Sequence, residues 1–380
     1  MRLLAAVLFW SSIALIFYAY FGYPFFLKII SFFKNKTIQK GNIFPKVSFI
    51  IAAYNEETCI EEKIKNTLIQ DYPTEKLEII VVSDCSTDRT DEMVRSYGSK
   101  GVLLVRAPER NGKEAAQKIA VERSSGEVII FSDVATFLEM NGISNIVRNF
   151  NDPTVGCVSS VDRFLERDGK ISGEGAYVRY EMFLRSLETR VNTLVGLSGS
   201  FFAARREVCQ DWAIDLQSDF NTVLNSVKTG RRGVSDPDSI GYYKNIVDEK
   251  KEFDRKVRTV LRGISVFMRG LPLLNPFKYG LFSWQLFSHK LCRWMVPFAL
   301  LVGFVSNLLL ISYSAFYLST FILQLLFYTV AFGGVWFTRF PGRYFLKIPS
   351  FFVLVNLSIL MAWCRYFQGE RLLAWEPSQR

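Results

Sequence analysis

Nearly all the acidic residues of this 380-residue chain lie in one central stretch. Residues 56–254 hold 34 of the 36 Asp and Glu residues against 26 Lys and Arg, a balance of −8. The flanks, 1–55 and 255–380, hold 20 Lys and Arg against two acidic residues, a balance of +18. A uniformly basic nucleic-acid-binding protein would not separate its charges in this way. The pattern indicates a membrane protein with one aqueous domain, and nucleic acid is not an expected partner.

Long charge-free runs occupy both flanks. Residues 3–27 are long enough to cross a bilayer core of roughly 30 Å, and the run is too long for a cleaved signal peptide. Residues 295–338 suit two helices with a turn near Ser312–Ser314, and residues 348–364 form a shorter third run. A third run that spans the membrane places the C-terminus outside, whereas a re-entrant one places it inside. The lysines that follow the first run favour a cytoplasmic central domain.

Residues 255–293 hold eight Lys and Arg and no acidic residue, mixed with large apolar side chains. Four arginines of this stretch recur near helical spacing and would share one face. Such a segment suits the headgroup plane, with its basic face toward anionic lipid or an anionic ligand. The expected division of the chain is a transmembrane segment (1–33), an aqueous domain (34–254), a basic interfacial segment (255–293), about three transmembrane helices (294–366) and a tail (367–380).

Strand and helix patterns alternate through the first half of the aqueous domain. Such alternation predicts an α/β fold with parallel strands joined by right-handed crossovers. Strands are expected at 47–53, 77–82, 102–106 and 128–131, and helices at 57–70, 88–97 and 114–123.

Three of these strands end in polar residues. Tyr54-Asn55-Glu56 follows the first strand, Ser83-Asp84 the second and Ser132-Asp133 the fourth. Ligands of open parallel sheets bind beyond the carboxyl ends of the strands, so these residues are expected to line one crevice. No G-x-G-x-x-G or P-loop motif follows the first strand. An anionic ligand would therefore be held by carboxylates, a metal, and Lys or Arg.

Four motifs in order resemble the family 2 glycosyltransferases with the GT-A nucleotide-sugar fold. They are VSFIIAAYNEE (47–57), IIVVSDCSTDRT (79–90), GKEAAQ (112–117) and GEVIIFSDVAT (126–136). The similarity is greatest to the membrane-integrated bacterial branch that builds exopolysaccharides such as poly-N-acetylglucosamine. It implies a Rossmann-like, mostly parallel GT-A domain on the cytoplasmic side of the inner membrane, flanked by transmembrane helices.

The resemblance also implies a site for a nucleoside-diphosphate sugar, most often UDP-linked. Ala53, Tyr54 and Glu56 at the first strand end and Asp84 after the second would hold the nucleobase and ribose. Lys113, in the family's Gly-Lys pair, would contact uracil or diphosphate. The alternatives are a turn or helix-capping role for Asp84 and an ordinary solvated side chain for Lys113.

Asp133 stands where the family carries the first acid of its D-x-D motif. By resemblance it would bind Mg²⁺ or Mn²⁺ on the diphosphate, and the metal would neutralise the leaving group. The second acidic position is Ala135, which cannot ligate a metal. Thr136 or water is expected to fill that position.

The family uses an Asp at the start of a helix as the general base that deprotonates the acceptor hydroxyl. The matching residue is Asp219 in SDFNTVLNSVKTGRRG, with Asp215 as competitor and Asp211 as a weaker one. Helix capping is the alternative role. The preceding stretch GLSGSFFAARREV (196–208) resembles the acceptor-side loop.

Processive members of the family carry Q-x-x-R-W, which covers the active site. The aligned residues are Arg255-Lys256-Val257-Arg258-Thr259, so the Gln and Trp are replaced. Arg255 and Arg258 are expected to bind the diphosphate, Arg258 through its planar guanidinium. The missing Trp leaves open whether the product is a polymer.

The expected function is inverting transfer of a sugar to a lipid-linked sugar or a growing polysaccharide, in contact with membrane lipids. Two alternatives remain. Ala135 and the altered Q-x-x-R-W motif suit a nucleotide-binding relative that has lost catalysis. A transporter with a regulatory aqueous domain is less favoured, because the apolar runs contain no ionisable residue of the kind that transport sites use.

Overall fold

The computed structural model describes residues 1–165, 176–244, 249–337 and 344–370. Eight strands in this part of the chain form one sheet. The strands are β1 (Val47–Ala53), β2 (Leu77–Ser83), β3 (Val102–Arg106), β4 (Val128–Asp133), β5 (Phe137–Leu138), β6 (Val155–Leu165), β7 (Phe201–Arg205) and β8 (Arg232–Lys244).

The described residues also form fourteen α-helical segments, some of them continuous through single π-helical turns. They are α1 (Arg2–Phe17), α2 (Tyr23–Phe33), α3 (Ile60–Leu68), α4 (Thr90–Arg95), α5 (Lys113–Arg123), α6 (Gly142–Val147), α7 (Ala176–Val191), α8 (Ser218–Lys228), α9 (Glu249–Arg269), α10 (Pro276–Tyr279), α11 (Leu281–Leu286), α12 (Arg293–Leu310), α13 (Ala315–Phe337) and α14 (Tyr344–Phe367).

The chain divides into two compact units. The first, named the sheet unit, contains all eight strands, and its described residues are 27–165, 176–244 and 268–282. The second is named the helical unit, and its described residues are 1–26, 249–267, 283–337 and 344–370. The five-part division expected from the sequence stays a prediction, and its tail lies outside the described residues from 371 onward.

The sheet has the strand order β3-β2-β1-β4-β7-β6-β8-β5. The first four strands are parallel, as the alternation of strands and helices predicts. β7 then runs antiparallel to both β4 and β6, β8 runs parallel to β6, and β5 closes the sheet antiparallel to β8. β7 comes from the stretch expected to be an acceptor-side loop, so that stretch is partly a buried strand. The fold is therefore a mixed α/β sheet.

Alternation along the strands builds a core on both faces of the sheet. Every second residue of β1 packs on one face with Ile60 and Ile64 of α3, all of them buried. Phe131 of β4 stacks on Phe202 of β7 and on Trp212, with ring centroids 4.8 Å apart in each case. Burying one such aromatic ring stabilises the fold by roughly 1.5–3 kcal/mol. This packing fixes the ends of β1, β2 and β4, where polar residues follow.

The described residues include four helices long and apolar enough to cross a membrane, one before the sheet and three after it, as expected. Within the helical unit, α1 packs on α12 through Phe9 and Leu310. The indole Nε1 of Trp363 donates to the carbonyl of Trp294 at 3.1 Å and so ties α14 to α12. The candidate spans are Arg2–Phe33, Leu281–Leu310, Ala315–Gly333 and Ile348–Phe367.

Candidate functional site

The carboxyl ends of β1, β2 and β4 meet at one edge of the sheet, named here the polar edge. Ala53 pairs with Ser83 and Ala52 pairs with Asp133, so the predicted crevice residues do lie together. The residues that follow the strands turn sharply: Asn55 and Cys85 have φ angles of +53° and +59°. Left-handed backbone at non-glycine residues is uncommon and clusters at functional sites.

Asp84 shapes the turn that begins α5. Its side chain is buried, and its two carboxylate oxygens accept the backbone N–H groups of Asn111 and Gly112, each at 3.0 Å. Gly112 has φ +90° and ψ 174°, a conformation that side-chain-bearing residues rarely adopt. In this structure Asp84 therefore acts through the turn that places Lys113, and its predicted contact with the nucleotide stays a prediction.

Lys113 joins the polar edge to the segment that leads into β7. Its ammonium forms an ion pair with Asp133 and donates to the carbonyl of Gly199 at 3.2 Å. The backbone N–H of Asp133 donates to the carbonyl of Ser200 at 2.9 Å. Two residues chosen from separate motifs thus form one charged pair, with only modest exposure of either side chain.

Asp219 stands in the first turn of α8 and faces the same segment. A Cβ atom placed on Gly199 would lie 2.5 Å from Asp219 Oδ2, so a larger residue at this position would require the carboxylate to shift. Gln217 Nε2 donates to Asp219 Oδ2 at 3.0 Å, and the Phe220 N–H donates to Oδ1 at 2.6 Å. The structure therefore brings Asp219, Lys113 and Asp133 together around the Gly199 backbone.

The competing acids are placed differently. Asp215 forms an ion pair with Arg269 at 2.5 Å on the surface of the sheet unit. Asp211 is exposed. Its backbone carbonyl accepts a hydrogen bond from Asn225 Nδ2 at 3.1 Å. Neither carboxylate approaches Gly199 as Asp219 does, which favours Asp219 as the candidate base.

The first strand end contains a contact that the sequence did not suggest. The guanidinium of Arg110 lies 3.9 Å from the ring centroid of Tyr54. Glu56 is half-buried, and its backbone N–H donates to Thr90 Oγ1 at 2.8 Å. Arg110 therefore covers one face of the aromatic ring on which a nucleobase was expected to stack.

Lys63 is a second residue that the sequence did not identify. It is completely buried on α3, and its ammonium donates to Ser132 Oγ at 2.7 Å and to the Thr136 carbonyl at 2.5 Å. Burial lowers the pKa of Lys63 to about 7, although the charge of Asp133 acts in the opposite direction. Lys63 thus binds a side-chain hydroxyl before Asp133 and a backbone carbonyl after it.

Asp162 on β6 supports the polar edge from the other side. Its Oδ1 accepts hydrogen bonds from Ser198 Oγ at 2.5 Å and from Ser200 Oγ at 2.6 Å. These serines flank Gly199, so the acid holds the segment that both Lys113 and Asp219 contact. The local sign of this arrangement in the sequence was the Ser-Gly-Ser pattern of GLSGS. The partner of Ser198, Asp162, lies 36 residues earlier in the chain.

A divalent cation fits the polar edge only with help from a substrate. Among the described residues no three His, Cys, Asp or Glu side chains form a metal-binding group. Asp133 supplies one carboxylate, and the side chain of Ala135 supplies no ligand atom. Mg²⁺ is commonly held by one or two carboxylates, waters and substrate phosphates, and this residue set suits such an arrangement.

Arg255 and Arg258 lie on α9 in the helical unit, one turn apart. They belong to the other unit, and their contact with a diphosphate stays a prediction. The helix itself confirms the amphipathic pattern expected of its arginines.

Comparison with known proteins agrees with this geometry. Residues 48–212 match the model of glycosyl transferase family 2. The poly-beta-1,6-N-acetyl-D-glucosamine synthase of Staphylococcus aureus (strain COL) is 27% identical over 179 residues, which is 45% of this chain and 42% of that protein. A probable glycosyltransferase of Bacillus subtilis (strain 168) is 34% identical over 120 residues, which is 30% of this chain and 29% of that protein.

One solved structure resembles nearly the whole chain. It is a mannosyltransferase of Pyrobaculum calidifontis in complex with GDP-Man and Mn²⁺, with a TM-score of 0.71 at 23% identity over 96% of this chain and 100% of that one. This likeness establishes a shared GT-A-like fold. The match to glycosyl transferase family 2 covers less than half of this chain. The chain spans less than half the length of the two curated relatives described above.

Proposed function

We propose that this chain is an inverting glycosyltransferase that moves a sugar from a UDP-linked donor to a hydroxyl group at the membrane. One observation carries the proposal: Asp219 meets the Gly199 backbone that also binds Lys113, the ion-pair partner of Asp133. A base for the acceptor and a charged pair for the diphosphate thus flank one short segment.

In this mechanism Asp219 accepts the proton of the acceptor hydroxyl, whose oxygen attacks the anomeric carbon. The bond to the diphosphate breaks on the opposite face, so the configuration inverts. Hydrogen bonds from the Gln217 side chain and from the Phe220 N–H hold the Asp219 carboxylate in one orientation. A fixed carboxylate loses little entropy when it meets the acceptor.

Lys113 and Asp133 serve the leaving group. The Lys113 ammonium would bind diphosphate oxygens, and Asp84 orients it through the Gly112 turn. Asp133 would hold Mg²⁺ or Mn²⁺, which supplies positive charge to the departing diphosphate. Arg255 and Arg258 would add further guanidinium contacts, and Ala53, Tyr54 and Glu56 would contact the nucleoside, with Arg110 beside Tyr54.

The acceptor is proposed to be a lipid-linked sugar or a growing polysaccharide. Four candidate membrane spans and the similarity to a poly-beta-1,6-N-acetyl-D-glucosamine synthase support this choice. The basic residues after the first span favour a cytoplasmic location for the sheet unit, at the inner membrane.

The test is to incubate the purified full chain with a panel of nucleotide sugars and membrane lipid extract, and to size the products. We expect one donor to be consumed with release of its nucleoside diphosphate. A binding-only relative is the second candidate, favoured by Ala135. Nucleotide binding without turnover for any donor would support that candidate and contradict the enzyme.

A further inference from the structure

A second polar pocket, of about 600 Å³, lies at the opposite end of the sheet from the polar edge. Its residue Arg232 begins β8 and pairs with Val155 at the start of β6. That end of the sheet is the one where β4 begins, because Val128 pairs with Arg205 at the end of β7. Strand rise separates the two ends by on the order of 15 Å. This site is named here the basal pocket.

Positive charge dominates the side chains that line the basal pocket. Arg232 is paired with Asp152 at 3.3 Å and donates to the backbone carbonyl of Thr37 at 3.0 Å, so it mainly builds the wall. Arg231 is paired with Glu207 at 2.6 Å. The charged lining residues are Lys36, Asp152, Arg231, Arg232 and Lys278.

Two lysines give the pocket its surplus charge. Lys36 Nζ donates to the uncharged side-chain amide of Asn192, at 3.0 Å from Oδ1. In the described part of the chain, neither Lys36 nor Lys278 forms an ion pair with a carboxylate. Burial, together with the nearby Lys34 and Arg232 cations, lowers the pKa of Lys36. A bound anion would relieve this repulsion.

Two lining residues of the pocket lie close in sequence to candidate membrane spans. Lys36 lies three residues after the candidate span Arg2–Phe33, and Lys278 lies three residues before the span that begins at Leu281. Three residues reach about 10 Å at most. The neighbouring rings of Phe33 and Phe277 are 89% and 99% exposed. Exposed aromatic rings next to lysines are typical of a headgroup-level surface.

We propose that the basal pocket binds the phosphate group of an anionic membrane lipid. Lys36 and Lys278 contact the phosphate, while the paired Arg232 and Asp152 keep the wall rigid. The site is separate from the polar edge, so lipid binding there does not depend on the proposed sugar transfer. Its readout is binding, which stays measurable even if the chain transfers no sugar.

The test uses the full chain in nanodiscs of phosphatidylcholine, with and without phosphatidylglycerol, and counts retained phosphatidylglycerol by native mass spectrometry. Each lysine near an anionic surface contributes about a fivefold change in affinity. We therefore expect the double variant Lys36→Gln/Lys278→Gln to bind phosphatidylglycerol about thirtyfold more weakly than wild type. The matched control Lys100→Gln/Lys118→Gln removes two exposed lysines elsewhere on the sheet unit and should bind normally.

Size-exclusion profiles report folding, and the single variant Lys278→Gln on an exposed turn provides a milder change if the double variant misfolds. That variant should weaken binding about fivefold. Equal retention of phosphatidylglycerol by wild type and Lys278→Gln would overturn the proposal. So would displacement of the lipid by millimolar inorganic phosphate, which would identify a site for the free anion instead.

Discussion

The carboxylate of Asp219 packs so closely against Gly199 that a methyl group on Gly199 would lie 2.5 Å from Asp219 Oδ2. Real Cβ atoms do not approach an oxygen this closely, so one of the two residues would have to move. The glycine of the GLSGS segment therefore sets the position of the candidate base. Lys113 binds the carbonyl of the same glycine, which links the base to the charged pair with Asp133.

Gly199→Ala should displace Asp219 and lower kcat by about a hundredfold or more, because a positioned general base contributes roughly 10²–10⁴ to the rate. The measurement is initial velocity with the donor identified by the panel. Gly98→Ala is the matched control, since a Cβ there meets nothing within 4 Å. Unchanged kcat in Gly199→Ala would show that Asp219 has no need of this close approach.

Lys113→Gln should lower kcat/KM for the donor on the order of a hundredfold, since it removes a cation aimed at the developing diphosphate charge. Lys118→Gln changes an exposed lysine on the same helix and is expected to match wild type. If both variants gave the same kcat/KM, the ion pair with Asp133 would be structural only.

Metal dependence should follow Asp133, because the second position of the D-x-D pattern is Ala135 and supplies no carboxylate. Chelation with EDTA should abolish turnover, and Mn²⁺ should restore it. Ala135→Asp, which supplies the acid missing from the D-x-D pattern, should lower the Mn²⁺ concentration for half-maximal activity, and Asp133→Asn should raise it. If the Ala135→Asp variant kept the Mn²⁺ dependence of wild type, residue 135 would not lie within reach of the metal.

Lys63 predicts a pH-dependent stability. The pKa of Lys63 is about 7 in the folded chain, whereas the ordinary value of 10.5 applies in the unfolded chain. Between these two pH values the unfolded state therefore binds more protons than the folded state. The free energy of unfolding of the wild type should therefore rise with pH across this window, relative to Lys63→Met, by at most about 1.4 kcal/mol per pH unit. Below pH 7 the difference should stay constant.

The comparison that checks this is the thermal unfolding midpoint of both proteins at pH 6, 7 and 9. Lys63→Met removes the hydrogen bonds to Ser132 Oγ and to the Thr136 carbonyl at every pH. This loss therefore does not contribute to the pH dependence of the difference between the two midpoints. A difference between the midpoints that is independent of pH would mean that Lys63 stays charged in the folded state.

Local patterns predicted the parallel half of the sheet well. The expected strands 47–53 and 102–106 coincide with β1 and β3, because buried apolar runs there are bounded by polar residues. The helix expected from residue 57 begins instead at Ile60. The backbone N–H groups of Glu56 and Glu57 donate to Thr90 Oγ1 and Asp88 Oδ2, which holds them in a turn.

The rest depends on contacts between distant parts of the chain. β7 enters between β4 and β6 through pairing with residues far away in sequence, and no local pattern marks that choice. Lys63 reads as a solvated helix residue until its partners, 69 and 73 residues later, are in place. Asp162 and Arg110 were missed for the same reason. Asp219 and Lys113 could be proposed from the sequence because the family motifs mark them, and their roles stay predictions.

The most direct test of the account measures release of nucleoside diphosphate by wild type, Asp219→Asn and Asp215→Asn on one purified donor and acceptor. Asp215 pairs with Arg269 at the surface and is the matched carboxylate control. The account predicts that Asp219→Asn loses at least about a hundredfold in kcat while still binding the donor, and that Asp215→Asn turns over like wild type. Equal turnover by wild type and Asp219→Asn would contradict it.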